Sequence, residues 1–264
     1  MKIGSNLVYF YIKTQKFLKL TVSATPKGFR STVARGTHKI RRILNNRLFY
    51  PFWFHYNRTF KSRDAFVFQN TKYKYFYHQY NVTWRNERTV EIPIVLRILC
   101  LTHGDILEVG NVLSHYFETE YDIIDKYEQG PRITTQDVTE VETLKRYDLI
   151  ISISTLEHVG WDENPADGEL VNDPDKILRA MEKLKTLLKP RGNIFFTVPI
   201  GYNPHLDKLL EGGRLLFDKC YFMKRVSKKD RWVEADWEDV KGITFNKSVP
   251  TANAIMIGII ENHS

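Results

Sequence analysis

The stretch at residues 106–114, ILEVGNVLS, most constrains what this chain can fold into. Its short apolar run suits a strand of a parallel sheet covered on both faces. Gly110, just past the end of that run, lets the backbone approach a ligand closely. Glu108 stands where a carboxylate can meet a ligand's polar end or a neighbouring polar network. Open α/β sheets bind ligands at the carboxyl ends of their strands, beside the point where strand order reverses. Everything after residue 100 then reads as a sheet built around one crevice.

The downstream pattern supports this. Strands and helices alternate, which argues for a parallel sheet. After residues 106–109 come a helix across 113–117, a second strand at 121–124 ending at Asp125, and a third at 133–135 ending near Asp137 and Val138. The gap between the second and third strands is shorter than the ten to twelve residues a helical crossover needs, so an abbreviated connection is expected. The fourth strand, DLIISIS at 148–154, runs into TLEHVGW and an acidic loop at 162–172. Asp173 and Pro174 read as N-cap and first-turn proline of a helix. Its apolar stripe is Ile177, Leu178, Met181, Leu184, Leu187 and Leu188. Pro190 to Gly192 should end that helix before a fifth strand at 193–198. A short helix at 206–210, strands at 221–226 and 254–260, and a helix near 233–240 complete this half.

Upstream, residues 81–101 carry a helical apolar pattern in which Pro93 should start a new helix or kink the first. Residues 49–80 are unusually aromatic without one regular period, and read as a collar of loops and short elements. Charge is unevenly placed. The net +8 arises because residues 1–63 hold 14 Lys or Arg and no acid, whereas the rest holds 25 against 31. Such a segment could meet nucleic acid or an anionic membrane, serve as an organelle-targeting presequence, or be a solvated arm. An amphipathic helix fits 7–20. No apolar run reaches the roughly 18 to 20 residues needed to span a bilayer. Cys100 and Cys220 suggest neither a disulfide scaffold nor a metal site, and a cytoplasmic protein, at most peripheral to a membrane, is expected. The sequons at Asn57, Asn81 and Asn246 read as chance matches.

The segments LEVGNVLSHY, ISTLEHVGW and TVPIGYNP resemble those of class I S-adenosylmethionine-dependent methyltransferases, over about residues 85–264. The resemblance implies a Rossmann-like α/β fold whose seven-stranded sheet has order 3-2-1-4-5-7-6 with strand 7 antiparallel. It divides the chain into a basic, aromatic-rich extension, 1–80, and a methyltransferase domain, 81–264. The cofactor it implies is S-adenosyl-L-methionine. Gly110 and Asn111 would lie against its amino acid portion, with Glu108 anchoring that end. Asp125 would accept from the ribose hydroxyls, Asp137 from the adenine amine and the Val138 amide would meet a ring nitrogen, with Ser154 at the end of the fourth strand. Asp125 and Asp137 could instead be helix N-caps.

The resemblance puts the reacting methyl beyond the fourth strand, where His158 could act as general base, since an imidazole titrates near operating pH. Glu157, Trp161, Tyr202, Asn203 and His205 would form the acceptor wall. The glycine loop departs from the family pattern: Val112 and Ser114 stand where glycines are usual, and a nicotinamide-binding G-x-G-x-x-G is absent as well. The leading expectation is methyl transfer to a small-molecule, glycan- or lipid-linked acceptor at oxygen. An RNA or DNA methyltransferase using the basic arm and a non-catalytic protein retaining the fold are the alternatives.

Overall fold

A computed structural model describes residues 50–61, 63–162, 171–227, 230–247 and 250–263. The helix expected at 7–20, the basic segment before residue 50 and most of the acidic loop lie outside these residues. The chain divides into two units, Met1–Tyr56 and Asn57–Ser264. Helix α1, Tyr50–Phe60, spans the boundary.

The second unit is built on an eight-stranded sheet. Its strands are β3 (Ile106–Val109), β4 (Asp122–Asp125), β5 (Ile133–Thr135), β6 (Tyr147–Ile153), β9 (Leu188–Pro199), β10 (Lys219–Ser227), β11 (Arg231–Ala235) and β12 (Ala254–Glu261). Their order is β11-β10-β12-β9-β6-β3-β4-β5. Without β11 this is the expected 3-2-1-4-5-7-6, and β12, the seventh strand, is antiparallel to both β9 and β10. The fold is the Rossmann-like sheet of class I methyltransferases with one strand added at its far edge.

Period-two patterning feeds two cores. Along β6, Leu149, Ile151 and Ile153 face the layer of helix α2, Arg88–Leu101, while Ile150 faces the opposite layer. That second layer holds helix α3, Lys176–Thr186, and helix α4, Pro204–Glu211. Ile177, Ala180, Met181 and Leu184 of α3 pack there on Ile194, Phe196 and Val198 of β9. Burial on both faces is why β6 and β9 read as continuous apolar runs.

Several expected elements differ. The aromatic stretch holds more regular structure than a collar of loops: after α1 comes a hairpin of β1, Ala65–Phe68, and β2, Thr71–Lys74, followed by irregular chain at 75–78. The hairpin's turn residues Gln69 and Asn70 both have positive φ, 47° and 57°, the geometry that matches the twist of a two-residue hairpin. Phe66 and Phe68 are buried with Val90 and Ile92 of α2. Pro93 neither starts nor ends a helix. It lies within α2, and the Thr89 carbonyl four residues earlier, which it cannot bond, accepts from Phe76 N–H at 3.0 Å. The helix expected at 113–117 is only a short 3₁₀ turn, Leu113–His115.

Helix α3 starts at Lys176 with Asp175 at the N-cap, so Asp173 and Pro174 precede it. Asp173 pairs with Arg179 instead. Leu187 and Leu188 remain buried, but Leu187 caps the helix and Leu188 begins β9. Pro190 to Gly192 therefore form an irregularity inside β9, across which Tyr147 pairs with Leu188 and Leu149 with Asn193. Residues 233–235 belong to β11, with Trp232 buried and Val233 outward, and only the single turn Trp237–Val240 is helical, here α5. Between β6 and α3, two short strands, β7 (Trp161–Asp162) and β8 (Val171–Asn172), pair antiparallel. Among the described residues no helix is long and apolar enough to cross a membrane.

Candidate functional site

The parallel register aligns the ends of four strands. Val109 lies between Ile124 and Ser152, and Asp125 beside Thr135, so the chain leaves the sheet at Gly110, Asp125, Gln136 and Ser154 along one edge. There a cavity of about 370 Å³ opens, within the usual range for a cofactor or small molecule. Of the sequence-predicted residues, Gly110, Asn111, Asp125, Asp137, Val138 and His158 line it.

The loop after β3 holds its path without the missing glycines. Gly110 has φ +84°, and a Cβ there would lie 2.2 Å from the Thr155 hydroxyl, so this one glycine is required both by backbone and by packing. Val112 has an ordinary right-handed conformation, φ −106°, and needs no glycine. The Ser114 hydroxyl donates to Asn111 Oδ1. Glu108 is fully buried beneath the loop, where Oε1 accepts from the Val112 and Leu113 amides at 3.0 and 2.8 Å. Its Oε2 accepts from the Tyr121 hydroxyl at 3.1 Å. Burial outweighs these bonds and pushes the carboxyl up to about 7. Glu108 thus clamps the loop and is not among the residues lining the cavity.

Asp125 points into the same loop. Its Oδ2 accepts from Asn111 N–H at 2.9 Å, and Oδ1 from the amides of Tyr127 and Glu128, both at 2.8 Å. A carboxylate offers about four lone-pair positions, so this arrangement leaves room for one ligand hydroxyl rather than two. Asp137 caps the 3₁₀ turn Val138–Glu140 through Thr139 N–H at 3.0 Å, and its Oδ2 accepts from Lys176 Nζ at 2.6 Å. Burial alone would raise its pKa, but Lys176 and Thr139 outweigh it and hold the group below the usual carboxylate range. Val109, Ile124, Val138 and Val159 add apolar walls to the cavity.

The remaining predicted residues lie beside the cavity. Ser154, at φ +38°, turns its hydroxyl to Glu91 Oε1 at 2.6 Å, away from the cavity, and Glu91 also pairs with Arg88 at 2.7 Å. Glu157 is buried behind the wall, and burial raises its carboxyl well above the usual range. Its carbonyl accepts from Asn203 Nδ2 at 2.8 Å, and Asn203 Oδ1 caps α4. His158 Nδ1 lies 3.2 Å from the Tyr202 hydroxyl, and Trp161 packs edge-on to His205 with ring centroids 5.3 Å apart. His205 N–H donates to Asn203 Oδ1 at 2.9 Å, so these five residues and His158 form one connected group, of which only His158 lines the cavity.

Sequence reading missed Lys126, Tyr127, Gln136, Thr155, Gly160 and Lys176, all on the cavity wall. Thr155 and Gly160 stood inside the highlighted ISTLEHVGW segment and could have been found there. Lys176 carries no local signal, because only the packing of α3 on the 155–160 segment brings it to the cavity.

No protein-family model matches the chain, and no curated protein matches it. Similar solved structures include the N-methyltransferase NodS from Bradyrhizobium japonicum in complex with S-adenosyl-L-homocysteine, at 13% identity over 68% of this chain and 89% of that one, TM-score 0.41. A 1,6-didemethyltoxoflavin-N1-methyltransferase from Burkholderia thailandensis is 12% identical over 76% of this chain and 100% of that one, TM-score 0.41. An S-adenosylmethionine-dependent methyltransferase from Clostridium acetobutylicum is 11% identical over 65% and 89%, TM-score 0.34. All three are remote, and the geometry of this chain's own strand ends decides what the site can hold.

Proposed function

We propose that this chain is an S-adenosylmethionine-dependent methyltransferase acting on a small-molecule, glycan- or lipid-linked acceptor at oxygen. The observation that carries the reading is the convergence of Gly110, Asp125, Asp137 and Val138 on one cavity, at successive strand ends of a 3-2-1-4-5-7-6 sheet. The cofactor supplies a methyl group activated on a sulfonium. Gly110 and Asn111 would receive its amino acid end, Asp125 one ribose hydroxyl, and the apolar walls with Val138 N–H its base.

His158 is the residue we assign to the acceptor. Its side chain is about half exposed, at 47%, on the cavity wall, and Tyr202 fixes the ring through Nδ1. In the tautomer whose Nδ1–H donates to the Tyr202 oxygen, Nε2, 3.8 Å from Glu157 Oε1, is the nitrogen to take the proton of an acceptor hydroxyl as the methyl arrives. Alignment of the reacting atoms supplies the rest, and residues Trp161, Asn203 and His205 would shape the acceptor wall.

Two measurements test this. Calorimetry with S-adenosylhomocysteine is expected to show saturable binding that Asp125→Ala weakens by about tenfold or more, since one charged hydrogen bond and the loop's anchor go together. Absence of binding by folded wild-type protein would sink the cofactor claim. Once an acceptor is found by screening lipid, glycan and small-molecule fractions, His158→Ala should lower kcat by about 10²-fold with unchanged cofactor affinity. An unchanged kcat would leave alignment alone as the source of catalysis.

A further inference from the structure

Resting on the cofactor reading above, we propose that Lys176 determines which purine the site accepts: by occupying the Asp137 edge with an ammonium, it lets the cavity take a 6-oxo purine about as readily as a 6-amino one. Asp137 is crowded with donors. Its Oδ1 accepts from the Thr139 amide at 3.0 Å and the Thr139 hydroxyl at 2.8 Å, and Oδ2 from Lys176 Nζ at 2.6 Å. Three of about four lone-pair positions are therefore filled. A second ammonium, Lys126 Nζ, lies 3.9 Å from Oδ2. The exocyclic amine of adenine would bring one more donor to a place already supplied with them. An ammonium has three N–H bonds, and Lys176 spends one on Asp137, so it can donate to the oxygen of a 6-oxo purine.

The position of Lys176 follows from the packing around it. Gly160 has φ +76°, and a Cβ there would lie 2.2 Å from the Asp173 carbonyl and 2.9 Å from Lys176 Cβ. Asp173 N–H donates to the Gly160 carbonyl at 2.9 Å. The start of α3 is thus drawn directly against the segment after β6, and its first residue lands on the cavity wall beside Asp137. Both side chains are mostly enclosed, 19% and 13% exposed, so the pair is shielded from the solvent that weakens surface salt bridges.

The test compares S-adenosylhomocysteine with S-inosylhomocysteine by calorimetry on the full chain, as wild type, Lys176→Met and Lys176→Arg. Wild type and Lys176→Arg should bind the two within about threefold of each other, while Lys176→Met favours the adenine compound by about tenfold, the cost of leaving one polar edge without its partner. A merely structural role for Lys176 would weaken both ligands together and leave their ratio unchanged. A wild type that prefers the adenine compound by more than about threefold overturns the proposal, as does an unaltered ratio in Lys176→Met. If Lys176→Met does not fold, the wild-type ratio decides. Failure of folded wild type to bind either compound overturns the cofactor reading itself, and this proposal with it.

Discussion

Gly110→Ala is expected to abolish measurable binding of S-adenosylhomocysteine and to destabilise the chain by about 2–4 kcal/mol, combining a left-handed backbone with an overpacked contact. At φ +84° an alanine carries a steric penalty before any neighbour is counted. Its Cβ would then sit 2.2 Å from Thr155 Oγ1 and 2.5 Å from Thr155 Cγ2, so either the loop or the strand-end segment must move. The loop is poorly placed to yield. Gly110 N–H donates to the Ile124 carbonyl at 2.7 Å, Asn111 N–H to Asp125, and the next two amides to Glu108. Chemical denaturation together with ligand titration checks both parts. The double variant Gly110→Ala, Thr155→Ala should recover some of the stability, because it removes the two closest atoms. Full ligand affinity in Gly110→Ala would contradict the site.

The second expected result is an unusual pH profile: thermal stability should be greatest near pH 5 and fall by about 5–10 °C between pH 5 and pH 8. Burial pushes Glu108 from 4.5 up to about 7, Asp230 from 3.8 up to about 7 and Asp207 up to about 6, and raises Glu157 well above its ordinary value. A carboxyl whose folded value is raised binds its proton more tightly when folded. Protonation then favours the fold, and that stability is lost as pH climbs from the unfolded value through the folded one. For Glu108 alone the difference is about 3 kcal/mol. Groups of the opposite kind, such as Asp137 held low against Lys176, lose their contribution as pH falls below the ordinary carboxylate value, which sets the acidic limit. Glu108→Gln keeps an oxygen for the Val112 and Leu113 amides and removes one titration, so its melting temperature should vary less with pH. A wild-type profile that rises from pH 5 to pH 8 would refute the account.

How much of this was legible beforehand varies by element. The strand ends were, because a parallel strand buried on both faces is a continuous apolar run and its exit must be polar or glycine. Thus 106–109 and 133–135 fall where the pattern placed them, and β6 is displaced by one residue. The hairpin at 65–74 was hidden by aromatic residues that fit any element, although the Gln69–Asn70 turn between FVF and TKYKY was a usable sign. Leu187 and Leu188 show the limit of periodicity: they continue the helical stripe of α3 in sequence and are buried in the same core, yet one caps the helix and the other opens a strand. Burial is what the pattern reports, and a helix and a strand can meet the same core.

The site divides along a similar line. By itself the sequence determined which residues stand at the exits of the strands, and so that Gly110, Asp125 and Asp137 meet at one cavity, because chain order and sheet order together leave few places for them. Only the tertiary structure decided where those side chains point and what they are bonded to. Glu108 turned under the loop as its clamp, Asp125 gave three lone pairs to backbone amides, Ser154 turned to Glu91, and Lys176, with some forty residues of chain between them, closed on Asp137. The reason is physical: a buried polar group must find its partners among whatever packing brings near, and those partners come from elements distant in sequence.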